Sequence, residues 1–243
     1  MHERVAEVIR NSRYTIAFTG AGISVESGVP PFRGEGGLWG KYDPITLEIN
    51  YFNANPDSSW VVIREIFYEK FIDAQPNAAH KLLADMEKAG LLKAVITQNI
   101  DNLHYLAGNK NVLEFHGNSR QLICLECGQI YSLDEIDLDV IPPRCANCNG
   151  LLKPDFVFFG EAIPETVHAQ SVQKAQLADL LILIGTTGEV MPAAAITHLA
   201  KISGAMIVEI NPEKSGYTDT VTDIFIKEKA SLAAAKISEL LSF

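Results

Sequence analysis

The sequence predicts an α/β protein built on a doubly wound parallel sheet, with a smaller unit inserted into it. Three observations predict this. Short apolar runs of strand length alternate with amphipathic stretches of helical period, and strands alternating with helices build a parallel sheet covered on both faces. The first such run ends at Gly20-Ala21-Gly22, the strand and glycine turn that open a nucleotide-binding βα unit. Two segments, 35–73 and 118–154, break the alternation.

Taken in order, residues 2–12 form a first helix, with Val5, Ala6, Val8 and Ile9 as its apolar stripe. The strand 14–19 comes next. Further strands are expected at 94–97, 112–115, 180–184, 206–210 and 223–226. Helices are expected at 77–89, where Leu82, Leu83 and Met86 share a face and Gly90 stops the helix, and at 166–178, 192–203 and 230–241. Segment 35–73 is rich in aromatic residues and reads as helical, whereas 118–154 holds every cysteine of the chain. The expected division is a Rossmann-like unit of residues 1–34, 74–117 and 155–243, with a smaller unit of 35–73 and 118–154 leaning on it. A ligand cleft between them belongs at the carboxyl ends of the strands.

Composition removes several function classes. The chain of 243 residues is 47% hydrophobic and 21% charged, which is ordinary for a globular protein and excludes a disordered or fibrous one. Thirty acidic against 20 basic residues give a formal charge of −10. Such a surface repels phosphate backbones and anionic membranes and favours a basic partner, such as a lysine-rich peptide. The charged first ten residues do not make a signal peptide, and no run reaches the 18 or so apolar residues of a membrane span. These features predict a soluble, cytoplasmic protein, in which thiols stay reduced.

That setting frames Cys124-x2-Cys127 and Cys145-x2-Cys148, separated by 17 residues. Two such knuckles present four thiolates to one tetrahedral Zn²⁺, as in a zinc ribbon. A pair of redox CxxC motifs is the competing reading, but such a motif normally occurs singly beside a βαβ turn. Four thiolates close the coordination sphere, so the zinc is expected to be structural.

Polar residues gather where the strands end. Gly20-Ala21-Gly22-Ile23-Ser24 follows the first strand. Any tight βα turn could need those glycines, and Val25 stands where the usual dinucleotide fingerprint has its third glycine. Gln98, Asn99, Ile100 and Asp101 follow the strand 94–97, and His116 lies just past 112–115. A lone histidine is more often structural, but one beside Asn99 and Asp101 is a general-base candidate. His2, His80, His104, His168 and His198 read as structural. Val157 to Glu161 reads as an apolar strand ending at Gly160. The turn Gly185-Thr186-Thr187 offers amides to phosphate, and Asn211 closes another strand. All six turns are expected on one edge of one sheet.

In order, GAGIS at 20–24, GVPPFRG at 28–34, TQNID at 97–101, HG at 116–117, the paired CxxC, VFFGE at 157–161, GTT at 185–187 and IN at 210–211 cover nearly the whole chain. Together they resemble the sirtuins, the NAD-dependent protein-lysine deacylases. The resemblance implies that NAD is consumed as a co-substrate. The acyl-lysine carbonyl oxygen attacks the nicotinamide ribose, nicotinamide leaves, and hydrolysis yields lysine and O-acyl-ADP-ribose. It implies that His116 takes a proton from a ribose hydroxyl and that Asn99 holds the ribose and the attacking water. Asp101 and the Ile100 backbone would bind the nicotinamide carboxamide, Phe32 would shield the reactive carbon, and Arg33 would reach the phosphates. Gly20, Ala21, Gly22, Val25, Gln98, Gly185, Thr186, Thr187, Asn211, Lys229 and Ala230 would complete the nucleotide site. The acyl-lysine peptide would bind as an added strand, with Val157, Phe159, Gly160 and Glu161 on one side and Val190 on the other.

The resemblance has departures. Pro31 replaces an Asp or Thr, Thr187 a common Ser, and Gly188-Glu189 an apolar pair. Desuccinylating members carry a Tyr and an Arg three apart to grip the acyl carboxylate; alignment on Trp60 puts Ile63 and Ile66 there, which predicts neutral acyl groups. A protein ADP-ribosyltransferase using the same NAD site is the alternative activity. A non-catalytic sensor is disfavoured by the presence of His116, and a redox dehydrogenase by Val25 and the missing ribose acid.

Overall fold

The computed structural model describes the whole chain except residues 35, 70 and 72, three positions of the segment expected to be helical. Its larger sheet has six parallel strands: β1 (Thr15–Thr19), β2 (Ala94–Thr97), β3 (Val112–Glu114), β7 (Leu180–Ile184), β8 (Met206–Ile210) and β9 (Ile224–Ile226). Their order is β3-β2-β1-β7-β8-β9. β1 and β7 are buried along their whole length, which explains their unbroken apolar sequence: both faces of a parallel sheet are covered.

One face carries α1 (His2–Asn11), α4 (Ala78–Lys88) and α8 (Ala230–Leu241), packed with Val95, Ile182 and Val208. The short α5 (Leu103–Ala107) lies against α4. The other face carries α6 (Glu165–Leu177) and α7 (Ala193–Ile202), packed with Phe18, Leu181 and Ile207. α4 begins where Asn77 accepts the Ala79 N–H at 2.9 Å, with His80 completing a capping box. It ends before Gly90, whose φ of +78° continues the chain in the left-handed region. No helix of the described residues is long and apolar enough to cross a membrane.

The strand order reverses at β1, which has β2 on one side and β7 on the other. That is the position at which open α/β sheets bind ligands. The turns after β1 and β7 meet there so closely that glycine is obligatory. A Cβ on Gly22 would lie 2.6 Å from the Gly185 Cα, and one on Gly185 only 2.3 Å from the Ile23 nitrogen. The Gly22 N–H donates to the Gly185 carbonyl at 2.8 Å. The GxG of the first turn therefore serves the contact between two loops.

A second, antiparallel sheet holds β5 (Ile130–Ser132), β4 (Gly117–Cys124) and β6 (Leu152–Phe156), in that order. It corrects two expectations. Residues 157–161 form no strand; the strand precedes them as β6, because Lys153 and Pro154 pair with β4. The expected boundary at 155 accordingly falls inside β6. Among its described residues, segment 35–73 is helical only in pieces: 3₁₀ turns at 38–40 and 44–47, α2 (Ile49–Ala54), α3 (Pro56–Ile63) and a π-helical stretch Arg64–Glu69. A third apolar cluster joins these pieces to the small sheet through Leu38, Phe52, Trp60, Phe67, Leu122, Leu152, Phe156 and Phe158. Fully buried Trp60 donates its indole N–H to the Leu152 carbonyl at 3.0 Å, satisfying its one polar atom.

Candidate active site

A cavity of about 600 Å³ opens at the carboxyl ends of the strands, between the large sheet and the third cluster. It is lined by Gly20, Ala21, Gly22 and Val25 after β1, Gln98, Asn99 and Ile100 after β2, His116 after β3, Gly185, Thr186, Thr187 and Val190 after β7, and Asn211 after β8. Phe32 and Arg33, together with Lys229 and Ala230 at the start of α8, also line it. Hydrogen bonds tie the strand ends together: Gln98 Nε2 donates to Thr186 Oγ1 at 3.0 Å, and Asn211 Nδ2 to the Thr186 carbonyl at 2.9 Å. The volume suits a dinucleotide-sized ligand. An adjoining cavity of about 200 Å³ shares Ala21, Phe32, Phe67, Asn99 and Ile100 with it and adds Asp101.

His116 is oriented by its own strand end. Its Nδ1 lies 3.1 Å from the Gln98 carbonyl, which can only accept, so the neutral ring carries its proton on Nδ1 and leaves Nε2 as a free base. Burial lowers its pKa below the ordinary 6.5, partly offset by that hydrogen bond, and the ring is neutral near pH 7. Asn99, 7% exposed, donates Nδ2 to the Gly20 carbonyl at 3.2 Å and to Ser24 Oγ at 3.1 Å. Both amide hydrogens are thereby committed, and Oδ1 is the group Asn99 can offer a hydroxyl or water. Burial raises the Asp101 pKa, opposed by donation from Ser24 Oγ at 2.6 Å.

Two further histidines lie beneath this site. His80 Nε2 is 3.4 Å from Ser24 Oγ, His104 Nε2 is 2.9 Å from Thr19 Oγ1, and the two rings are 5.0 Å apart. Burial pulls their pKa values from 6.5 to about 4 and about 3. The unfolded chain takes up these protons from pH 6.5 downward and the folded chain does not. Stability is therefore complete above that pH and drains away as pH falls toward the folded values, by on the order of 2 kcal/mol per histidine at pH 5. The melting temperature is expected to fall steeply between pH 6.5 and 5; a flat calorimetric profile over that range contradicts the buried neutral pair.

The four cysteines are free thiols whose Sγ atoms all lie within 4.8 Å of one another. Cys124 and Cys148 are 3.5 Å apart, and Cys127 and Cys145 3.7 Å. A tetrahedron with Zn–S bonds of about 2.3 Å has edges of roughly 3.8 Å, so the cluster fits zinc. Gly150 has no room for a side chain, since its Cβ would lie 2.8 Å from Cys124 Sγ. The Tyr131 hydroxyl, 3.1 Å from Cys145 Sγ, orients that ligand.

A family model described as the Sir2 family matches residues 20–192. The chain is 44% identical to an NAD-dependent protein deacylase of Pyrococcus furiosus, over 97% of this chain and 96% of that one. The chain belongs to the Sir2 family. It is also 41% identical to an NAD-dependent protein deacetylase of Thermodesulfovibrio yellowstonii, over 99% of this chain and 96% of the relative. A solved structure described as Sir2 with a p53 peptide and NAD⁺ superposes with a TM-score of 0.92 at 33% identity, covering 98% of each chain.

Within this Sir2-family site, two expectations need correction. Ile63 and Ile66 line neither cavity; both are fully buried in the third cluster. Ile63 ends α3 and Ile66 lies in the π-helical stretch that follows it, and both side chains pack with Trp60 into that cluster. Phe67 lines both cavities instead, and Tyr68 and Phe71 line the smaller one. Of the six polar turns, five end strands of the large sheet; 157–161 reaches the cavity from the small sheet, after β6. Trp39, Leu47, Phe156 and Met191 also line the cavity, as does Phe158 of the 157–161 motif; an apolar residue has the same sequence signature in a core as in a cavity wall, so nothing local marks them as site residues. Gly188 has a plain packing reason: with φ +78°, its Cβ would lie 2.7 Å from the Tyr217 ring.

Proposed function

We infer that the chain is an NAD-dependent protein-lysine deacylase, deacetylation being its main activity. The observation that carries the reading is the meeting of His116, Asn99 and the paired glycine turns on one cavity whose opposite wall is apolar. In the proposed roles, the turn amides and Arg33 hold the pyrophosphate, and Gln98, Thr187, Asn211, Lys229 and Ala230 hold the adenosine. Asn99 Oδ1 accepts from a ribose hydroxyl or water, and Ile100 and Asp101 hold the carboxamide in the smaller cavity. Once the acyl oxygen has displaced nicotinamide, His116 Nε2 accepts the ribose hydroxyl proton, so that this oxygen can attack the acyl carbon. His116 is neutral before this step, as a base must be. The cysteines hold zinc in a closed shell, remote from the reaction.

The substrate is an acyl-lysine protein or peptide entering as an added strand between 157–161 and Val190. Leu47, Phe67, Phe156 and Phe158 give the acyl chain an apolar wall, which supports neutral acyl groups in place of the argument from Ile63 and Ile66. The large sheet, with an apolar cluster on each face, and the small sheet, with the third cluster, support a two-unit division with the reactants between, its boundary displaced to include all of β6 in the smaller unit. Thiols gathered for a metal and not joined as disulfides support a cytoplasmic setting.

The test is nicotinamide release from NAD with acetyl-, succinyl- and long-chain-acyl-lysine peptides. Release dependent on a neutral acyl peptide, with O-acyl-ADP-ribose as product, is expected. Release without acyl-lysine and with label on protein would assign ADP-ribosyl transfer.

A further inference from the structure

Lys153 lies within β6 with a side chain only 5% exposed. A buried ammonium is costly unless all its hydrogens find acceptors, and here three groups accept: the Pro154 carbonyl at 2.9 Å, the Phe156 carbonyl at 2.7 Å and Glu161 Oε2 at 3.1 Å. The ammonium also sits 4.3 Å from the centroid of the Phe158 ring. The same Glu161 Oε2 accepts the Phe158 N–H at 2.7 Å, and the Glu161 N–H donates to the Phe158 carbonyl at 3.0 Å. One buried cation thus closes the turn 158–161 from below. Glu161 Oε2 is engaged by the Lys153 ammonium and the Phe158 N–H, while the turn itself lines the cavity.

The segment has two other fastenings. The Val157 N–H donates to the His116 carbonyl at 2.8 Å, and Phe159 exchanges hydrogen bonds with Leu47 and Ile49 at 2.8 and 3.0 Å. Apolar packing already secures Phe156 and Phe158. The ammonium bonds go elsewhere, to the carbonyls at the end of β6 and to the turn that lines the cavity. A peptide that binds as an added strand gains its affinity from backbone pairing. A mobile edge would have to be ordered at every binding event, at an entropic cost.

We propose that Lys153 is a positioning residue for the acyl-lysine peptide: acting through Glu161, it holds the turn 157–161 as the preformed edge on which the peptide strand pairs. The proposal rests on the deacylase reading. It separates Lys153 from the NAD-binding machinery, so peptide and NAD parameters must respond differently.

The test is steady-state kinetics of the full chain with an acetyl-lysine peptide and NAD. Lys153→Met is expected to raise the peptide KM about tenfold or more, with NAD KM and kcat at saturating peptide within about twofold. Lys153→Arg, which keeps the charge, is expected to restore most of the loss. Glu161→Gln keeps an acceptor for the Phe158 N–H and removes only the charge pair; about a threefold or greater rise in peptide KM is expected. It decides the matter should Lys153→Met fail to fold. A peptide KM within about twofold of the parent in Glu161→Gln, or in folded Lys153→Met, overturns the proposal. So does an equal rise in peptide and NAD KM. A parent enzyme that releases no nicotinamide with any acyl peptide overturns the deacylase reading, and this proposal with it.

Discussion

Replacing His116 with alanine is expected to lower formation of free lysine from an acetyl-lysine peptide by about 10²- to 10⁴-fold, the usual contribution of a positioned general base. The zinc content and melting temperature should hardly change, because the ring is half-buried at a cavity wall and its hydrogen bond is to the Gln98 carbonyl. The parent enzyme offers a second check. Burial holds the His116 pKa below 6.5, so the base form persists into mildly acidic solution. The acidic limb of kcat/KM is therefore expected to have its midpoint below 6.5, provided it is measured quickly enough that acid unfolding through His80 and His104 does not intrude. Unimpaired turnover in His116→Ala, or an acidic limb centred well above 6.5, would remove His116 from the base role.

Loss of the metal should have the largest effect on the fold. Structural zinc in small four-ligand sites binds with apparent free energies on the order of 10 kcal/mol or more. Transmission of about 4 kcal/mol of that to the whole chain corresponds to a fall in melting temperature of roughly 8–16 °C. The route of transmission is visible. Cys124 and Cys145 belong to the third apolar cluster, as do Leu152, Trp60, Phe156 and Phe158, and the last two line the cavity. Cys124→Ser, or prolonged chelation, should lower zinc content, melting temperature and peptide-dependent activity together. Direct metal analysis with calorimetry on the same samples checks this. A zinc-free protein of unchanged stability would show that the four thiols are not a structural metal site.

The acyl wall shows where sequence reading loses its hold. Alignment on Trp60 puts Ile63 and Ile66 beside the substrate, and the hydrophobic pattern is equally content with them in the core. Phe67, which does reach the cavity, lies in a π-helical stretch that leaves no mark in the spacing of apolar residues. The same holds for 157–161. Its apolar run reads as a strand, yet the pairing partners of β4 are the residues just before it, and the run itself is a turn fastened to His116, Leu47 and Lys153.

What the sequence by itself determined is whatever depends on near neighbours. Unbroken apolar runs specify the buried parallel strands. The Asn77 cap and Gly90 specify the limits of α4. Two CxxC knuckles specify a four-thiolate metal site, and Gln98 to Asp101 and His116 announce themselves as polar residues at strand ends. Only the tertiary structure decided which distant residues meet: Gly22 against Gly185, Trp60 on Leu152, and Lys153 beneath Glu161. Those contacts are chosen by close packing and by the need to satisfy every buried charge and amide, conditions that no local spacing encodes.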